Sequence, residues 1–334
     1  MGRYRVNVAI IGCGLIGQKR SKALKDCQII ACVDSLQERS QTLANQFPGC
    51  VAFRNWQDAI SLPDLHLVIV ATLHESLAEI ALAFIQAGKH VLVEKPAARS
   101  AKELEPLMLA AKQARVCVRV GFNHRYHRAF RKARQLVDEG ALGELMFLRG
   151  RYGHGGRIAY HQEWRANPKL SGGGELIDQG VHLIDLARWF LGDFSNVYGR
   201  AHTYYWDMPV EDNGFMLLHT PKKQVAFLHA SCTEWKNTFS FELFGKNGKI
   251  EINGLGGSYG TEKIAFYKMS AAMGPPETMV WEYPMADDSW EFEFAEFLED
   301  IRQQRQPSVG INDAYAALKV VEKIYKDSGY DHCS

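Results

Sequence analysis

The sequence predicts an α/β protein: an N-terminal doubly wound parallel sheet, then a second α/β domain built on a large open, mainly antiparallel sheet. Three observations carry this. Up to about residue 122, unbroken apolar strands alternate with amphipathic helices, the pattern of a parallel sheet covered on both faces. A glycine-rich turn joins the first strand to the first helix. Beyond about Arg125 the strands follow one another with few helices between them, which implies antiparallel or mixed pairing.

The elements follow in order. "VNVAIIG" leads to a helix from about Leu15, "QIIACVD" to one from about Leu36, and "LHLVIVAT" to the helical "ESLAEIALAFIQAGK". "HVLVEKP" precedes "SAKELEPLMLAAKQA", and "VCVRVGF" closes the series. The second half opens with the helix "HRAFRKARQLVDEG". A strand, a glycine-rich segment and the long helix "GGGELIDQGVHLIDLARWFLG" come next. "NVYGRAHTYYW", "GFMLLHT", "QVAFLHASC", "FSFELFG" and "KIEING" read as strands in series. Lys246-Asn247-Gly248 marks a hairpin, since Asn-Gly tolerates the positive φ of the favoured two-residue turns. Two helical stretches, about 288 to 304 and 312 to 327, pack back on the body.

At 334 residues the chain is too long for one small core. Hydrophobic residues at 46% and charged residues at 23% are ordinary for a globular protein, so disorder is not expected. A net charge of +1 supplies no field for nucleic acid or an anionic membrane, which leaves a small molecule as the expected partner. The seven cysteines (13, 27, 32, 50, 117, 232 and 333) form no CxxC pair, and an odd count argues for reduced thiols in a cytoplasm. The amino terminus shows no signal-peptide pattern, and Val6 stands where a myristoylation signal on Gly2 needs Ser or Thr. No apolar run approaches the roughly 18 residues of a membrane span.

"IIGCGLIG" places Gly12, Cys13, Gly14, Leu15, Ile16 and Gly17 between a strand and a helix, the context in which GxGxxG binds a dinucleotide. The first glycine allows the tight turn, the second admits a pyrophosphate, and the third lets helix and strand pack closely. Asp34 ends the second strand about twenty residues on, where a carboxylate accepts hydrogen bonds from a ribose. It would repel a 2′-phosphate, so NAD is expected over NADP, although Ser35 and Arg39 lie near enough to serve a phosphate. Residues 1–122 are therefore assigned to a Rossmann domain that binds NAD, and 123–334 to substrate binding and oligomerisation.

Ligands of open α/β sheets sit beyond the carboxyl ends of the strands. Glu94, Lys95 and Pro96 fall there, at the end of "HVLVE". A lysine beside a positive nicotinamide ring would have its charged form disfavoured, which suits proton transfer. In the second domain Asp178 and His182, four apart on a helix, share a face continued by Asp185. A carboxylate one turn from an imidazole orients it and raises its basicity, as a base for a hydroxyl proton requires. The three preceding glycines would let a polar ligand approach the helix amino end.

Taken together, "IIGCGLIG", "AEIALAFIQAGKHVLVEKPAA" and "GGGELIDQGVHLIDLARWFLG" resemble the glucose-fructose oxidoreductase and inositol dehydrogenase family, Gfo/Idh/MocA, over nearly the whole chain. The resemblance implies a Rossmann domain, a second α/β domain whose open sheet forms a homodimer or homotetramer interface, and a catalytic set at Lys95, Asp178 and His182. It also implies a cis Lys95-Pro96 bond. The family's usual "ATPNxxHAEIA" is "ATLHESLAEIA" here, so the cofactor contacts expected at Ala71, Thr72 and His74 rest on a divergent segment. Arg20 likewise stands where a histidine is common.

"GFNHRYHRAFRK" and "RGRYGHGGRIAYHQEWRANPKLSGGG" supply donors and aromatics suited to a polyhydroxylated ligand. Lys95, Asn123, Arg125, Tyr152, Arg157, Arg165, Asp178 and His182 are the expected substrate contacts. The arginines would equally suit a phosphate, which leaves phosphorylated or nucleotide-linked sugars open beside a free sugar or cyclitol. No metal site is expected, because no cysteine or carboxylate cluster completes the His124/His127 or His154/His161 spacings. The sequence therefore reads as an NAD-dependent dehydrogenase of a sugar-like secondary hydroxyl. A non-catalytic NAD-linked sugar sensor and an NAD-dependent glycosidase are the alternatives.

Overall fold

The computed structural model describes residues 5–330, so Gly2 and Cys333 lie outside the described residues. Two compact units emerge. The first holds the residues up to Phe122 together with Trp290–Tyr315, and the second holds Asn123–Ser289 with the residues from Ala316 on. Assigning everything after residue 122 to a second domain is thus corrected. Trp290–Tyr315 returns to the first unit because Phe294, Phe297 and Leu298 pack in one core with Val6, Val8, Leu67, Ile69 and Leu92.

In the first unit the chain runs β1 (Val6–Ile11), α1 (Leu15–Ala23), β2 (Cys27–Val33), α2 (Gln37–Ala44), β3 (Val51–Phe53) and α3 (Gln57–Ile60). It continues through β4 (Leu67–Val70), α4 (His74–Gln86), β5 (His90–Glu94), α5 (Ala101–Ala114) and β6 (Val118–Gly121). The strands form one parallel sheet in the order β3-β2-β1-β4-β5-β6. All four residues of β4 and the last four of β5 are buried, as strands covered on both faces require. The short β3 and α3 leave no periodic signal in the sequence, being three and four residues long.

The second unit opens with α6 (Arg128–Asp138), β7 (Leu145–Gly153) and α7 (Pro168–Ser171). A π-helical turn (Leu176–Gly180) then runs directly into α8 (Val181–Leu191). Next come β8 (Asn196–His202), β9 (Asn213–His219), β10 (Val225–Ser231), β11 (Thr238–Gly245), β12 (Gly248–Asn253), β13 (Glu262–Lys268) and β14 (Glu277–Tyr283). The eight strands lie in the order β14-β13-β12-β11-β7-β10-β9-β8, antiparallel except for the β7/β10 pair. Alternation sends Phe239, Phe241 and Leu243 of β11 inward, while Tyr198, Leu217 and Phe227 stand exposed on β8, β9 and β10. The mostly exposed β14, none of whose residues is fully buried, is an edge strand.

Lys246 and Asn247 form the tip of the β11/β12 hairpin, with Gly245 opposite Gly248. Neither Asn247 nor Gly248 takes a positive φ, however. Gly248 is required for space, since a Cβ there would fall 2.5 Å from the Tyr267 carbonyl oxygen. Two helices close the chain, α9 (Ser289–Gln303) and α10 (Ile311–Ser328). Among the described residues the cysteines are free thiols, and no helix is long and apolar enough to cross a membrane.

Candidate active site

The glycine loop of the first unit has the shape a dinucleotide needs. Gly12 has φ +94°, and a Cβ there would lie 2.4 Å from the Ala71 carbonyl oxygen. A Cβ on Gly17 would fall 1.9 Å from the Gly12 carbonyl oxygen, so α1 packs on β1 only through glycine. Gly14 differs. No atom lies within 4 Å of its Cβ position, which leaves the backbone open to an anion at the start of α1. Leu15 is exposed beside it, while Cys13 is buried and Ile16 half-buried.

Asp34 is fixed from two sides. Its Oδ2 accepts from the Cys13 backbone N–H and its Oδ1 from that of Leu36, both at 2.9 Å. The carboxylate is thereby held against the glycine loop, and Ser35 and Arg39 stand exposed after it. Further along, Ala71 N–H donates to the Ile11 carbonyl at 2.7 Å, Thr72 Oγ1 accepts from Ser76 Oγ at 2.9 Å, and His74 is buried at the start of α4.

At the end of β5 the two charges part company. Lys95 is half-buried and precedes a cis bond to the buried Pro96. The Glu94 carboxylate is buried instead and accepts from Arg20 Nε at 2.5 Å. The Glu94 side chain is thus engaged with Arg20 inside the unit.

In the second unit the buried Asp178 and His182 sit on the π turn and on the first turn of α8. Sequence spacing alone cannot tell this winding from a regular helix, yet π turns recur at functional sites. Arg165 Nε donates to Asp178 Oδ2 at 2.9 Å, and this carboxylate raises the Arg165 pKa. The His182 ring stacks on His124 with centroids 3.7 Å apart and planes 17° from parallel. Tyr152 packs on His124 and Tyr259 at 5.3 and 5.0 Å, and burial pushes its hydroxyl pKa well up. Asp185 does not extend the Asp178/His182 pair, because Arg125 takes it through two hydrogen bonds of 2.8 and 2.5 Å. Asn123 Nδ2 donates to Ser289 Oγ at 2.9 Å. Arg157 is exposed and closes a fork on Glu163, with both bonds at 2.5 Å. Arg151 alternates to the exposed side of β7, opposite Tyr152.

The glycines before the π turn have another use than the sequence suggests. A Cβ on Gly173 would fall 2.0 Å from Tyr325 Oη, and one on Gly174 would fall 1.9 Å from the Glu211 carbonyl oxygen. They admit the protein's own groups, not a ligand. The fully buried Glu211 accepts from the backbone N–H groups of Gly174 and Leu176, each at 2.9 Å, and from Tyr325 Oη at 2.8 Å. Burial pushes its pKa up to about 7. Glu175, also buried, lies 3.2 Å from His154 Nε2. Burial works against the charge on His154, yet Glu175 leaves its pKa raised. His124, Glu175 and Glu211 were not among the expected site residues. In the sequence His124 shows only by its place between Asn123 and Arg125 and its spacing from His127, neither of which points to stacking on His182. Among the described residues no three His, Cys, Asp or Glu side chains group as metal ligands would.

Residues 6–122 match the family described as "Oxidoreductase family, NAD-binding Rossmann fold", and residues 130–251 match the Gfo/Idh/MocA C-terminal domain. Levoglucosan dehydrogenase of Pseudarthrobacter phenanthrenivorans is 31% identical over 64% of this chain and 58% of its own length. Inositol 2-dehydrogenase 2 of Saccharopolyspora erythraea is 29% identical over 59% of this chain and 57% of its own. The match thus spans just over half the length of these two relatives. A solved levoglucosan dehydrogenase in complex with NADH has the same fold over 97% of this chain and 98% of its own, with TM-score 0.86 and 26% identity. The chain belongs to the Gfo/Idh/MocA family of oxidoreductases and carries that family's NAD-binding Rossmann domain at its amino end.

Proposed function

We propose that the protein is a cytoplasmic NAD-dependent dehydrogenase that oxidises a secondary hydroxyl of an uncharged sugar or cyclitol to a ketone, or runs the reverse reaction. The dehydrogenase reading rests on the buried Asp178 and His182 of the second unit, in a chain whose first unit shapes its glycine loop and Asp34 for NAD. When bound, NAD supplies the hydride acceptor. His182 takes the hydroxyl proton in a ring plane set by stacking on His124. Asp178, itself held by Arg165, orients that base and steadies the imidazolium once the proton has been taken. Lys95 polarises the substrate oxygen.

The observation that carries the uncharged class is that the three arginines expected to touch substrate are already answered. Arg125 pairs with Asp185, Arg157 with Glu163 and Arg165 with Asp178. A phosphate would have to displace a carboxylate from each, whereas a neutral hydroxyl can share the remaining donors. The named relatives, a levoglucosan and an inositol dehydrogenase, support the same class. Assembly through the exposed apolar strand face at Tyr198, Leu217 and Phe227, as a homodimer or homotetramer, belongs to this reading.

The test is reduction of NAD and of NADP across free sugars, cyclitols, sugar phosphates and nucleotide sugars, with light scattering on the same sample. Turnover of NAD with a neutral polyol by an oligomer is expected. Turnover confined to phosphorylated compounds would overturn the substrate class, and a monomer would overturn the assembly.

A further inference from the structure

We propose that Arg20 is a positioning residue for Lys95: by gripping Glu94 between α1 and α9, it fixes the lysine against the helix that begins at the dinucleotide loop. This rests on the reading of Lys95 as the group that polarises the substrate oxygen.

Arg20 lies one turn beyond Gly17 on α1 and is 0% exposed. A guanidinium removed from water carries a heavy desolvation cost, so its partners explain its presence. Nε donates to Glu94 at 2.5 Å, Nη1 donates to the equally buried Glu293 of α9, and the Trp290 ring lies 4.3 Å from the guanidinium carbon. Space is cleared for it at the end of the sheet. Gly121 pairs with Glu94 across β5/β6, and a Cβ there would fall 2.5 Å from Arg20 Nη2 and 2.9 Å from Glu94 Oε2.

Two carboxylates share one cation in this cluster. Arg20 Nη2 and Glu293 Oε1 have no hydrogen-bond partner, so the geometry favours holding Glu94 over satisfying every buried group. Burial and the nearby Glu94 raise the Glu293 pKa against the pull of Arg20. Glu94, the residue held by Arg20 Nε, lies one peptide bond from Lys95. Filling space would need only apolar side chains of like volume. What the fork adds is a fixed direction for the strand end that carries the lysine.

The test uses Arg20→Lys, which keeps the charge and loses the fork, and Glu293→Gln, which keeps the shape. Acetylation of Lys95 by a limiting active ester is followed against pH by peptide mass spectrometry, beside kcat, KM and thermal unfolding. In Arg20→Lys the Lys95 acetylation profile shifts and kcat falls at least about tenfold, with KM within about threefold, as misplacement of a catalytic group predicts. A folded variant with unchanged acetylation or unchanged kcat, and only a lowered Tm, overturns the proposal. Should Arg20→Lys not fold, Glu293→Gln decides by the same two readouts. The acetylation arm needs no substrate, so a wild type without turnover on any polyol would sink the dehydrogenase reading while the grip is still decided.

Discussion

On the proposed reading, a single carboxylate sets which dinucleotide the first unit prefers. Asp34 is held by the backbone N–H groups of Cys13 and Leu36, so its remaining lone pairs face the loop edge in a fixed direction. There it would accept from ribose hydroxyls and repel a 2′-phosphate. Asp34→Ala is expected to weaken NAD about tenfold, or about 1.4 kcal/mol, and to narrow the preference over NADP. Titration of intrinsic tryptophan fluorescence with each cofactor measures this, and an unaltered preference would count against the role. Residues of this kind were legible because their reasons are local: the close approaches of Gly12 and Gly17 and the strand-end place of Asp34 follow from the motif. Glu94 was not. Its charge is answered by Arg20, whose second partner lies 273 positions away, and no spacing rule reaches that far.

At the scale of elements, the stretch before α8 was readable as a helix bearing Asp178 and His182, but not as a π turn capped from inside the protein. The cap comes from Glu211, ahead of β9, and Tyr325 of α10, and the glycines that admit them look in the sequence like a ligand approach. Because burial raises the Glu211 pKa from 4.5 to about 7, the folded state binds the proton more tightly than the unfolded chain. This contribution to stability is full below pH 4.5 and is lost as pH rises through about 7. Relative to Glu211→Gln, wild type is therefore expected to lose about 3 kcal/mol over that interval. Urea unfolding of both proteins at several pH values reads it. Parallel stability curves would mean that Glu211 ionises as it does in the unfolded chain.

For the molecule as a whole, apolar periodicity was enough to separate a parallel sheet from a largely antiparallel one and to set the break at residue 122. It could not assign Trp290–Tyr315. An amphipathic helix shows which face is buried without showing against which sheet, and Phe294 and Phe297 settle that only by packing against Val8 and Ile69. The same limit applies to the substrate class. Arginine-rich loops suit an anion as well as a polyol, and their pairing with Asp185, Glu163 and Asp178 follows from no spacing rule. What joins the scales is the claim that Lys95 and His182 carry proton chemistry for hydride transfer to NAD. The most direct measurement is the steady-state rate of NADH formation from the best neutral polyol, for wild type, Lys95→Ala and His182→Ala, beside the NAD dissociation constant of each. The account predicts a fall in kcat of about 10²- to 10⁴-fold in both variants, with NAD affinity nearly unchanged. Retention of wild-type kcat in either variant would contradict it.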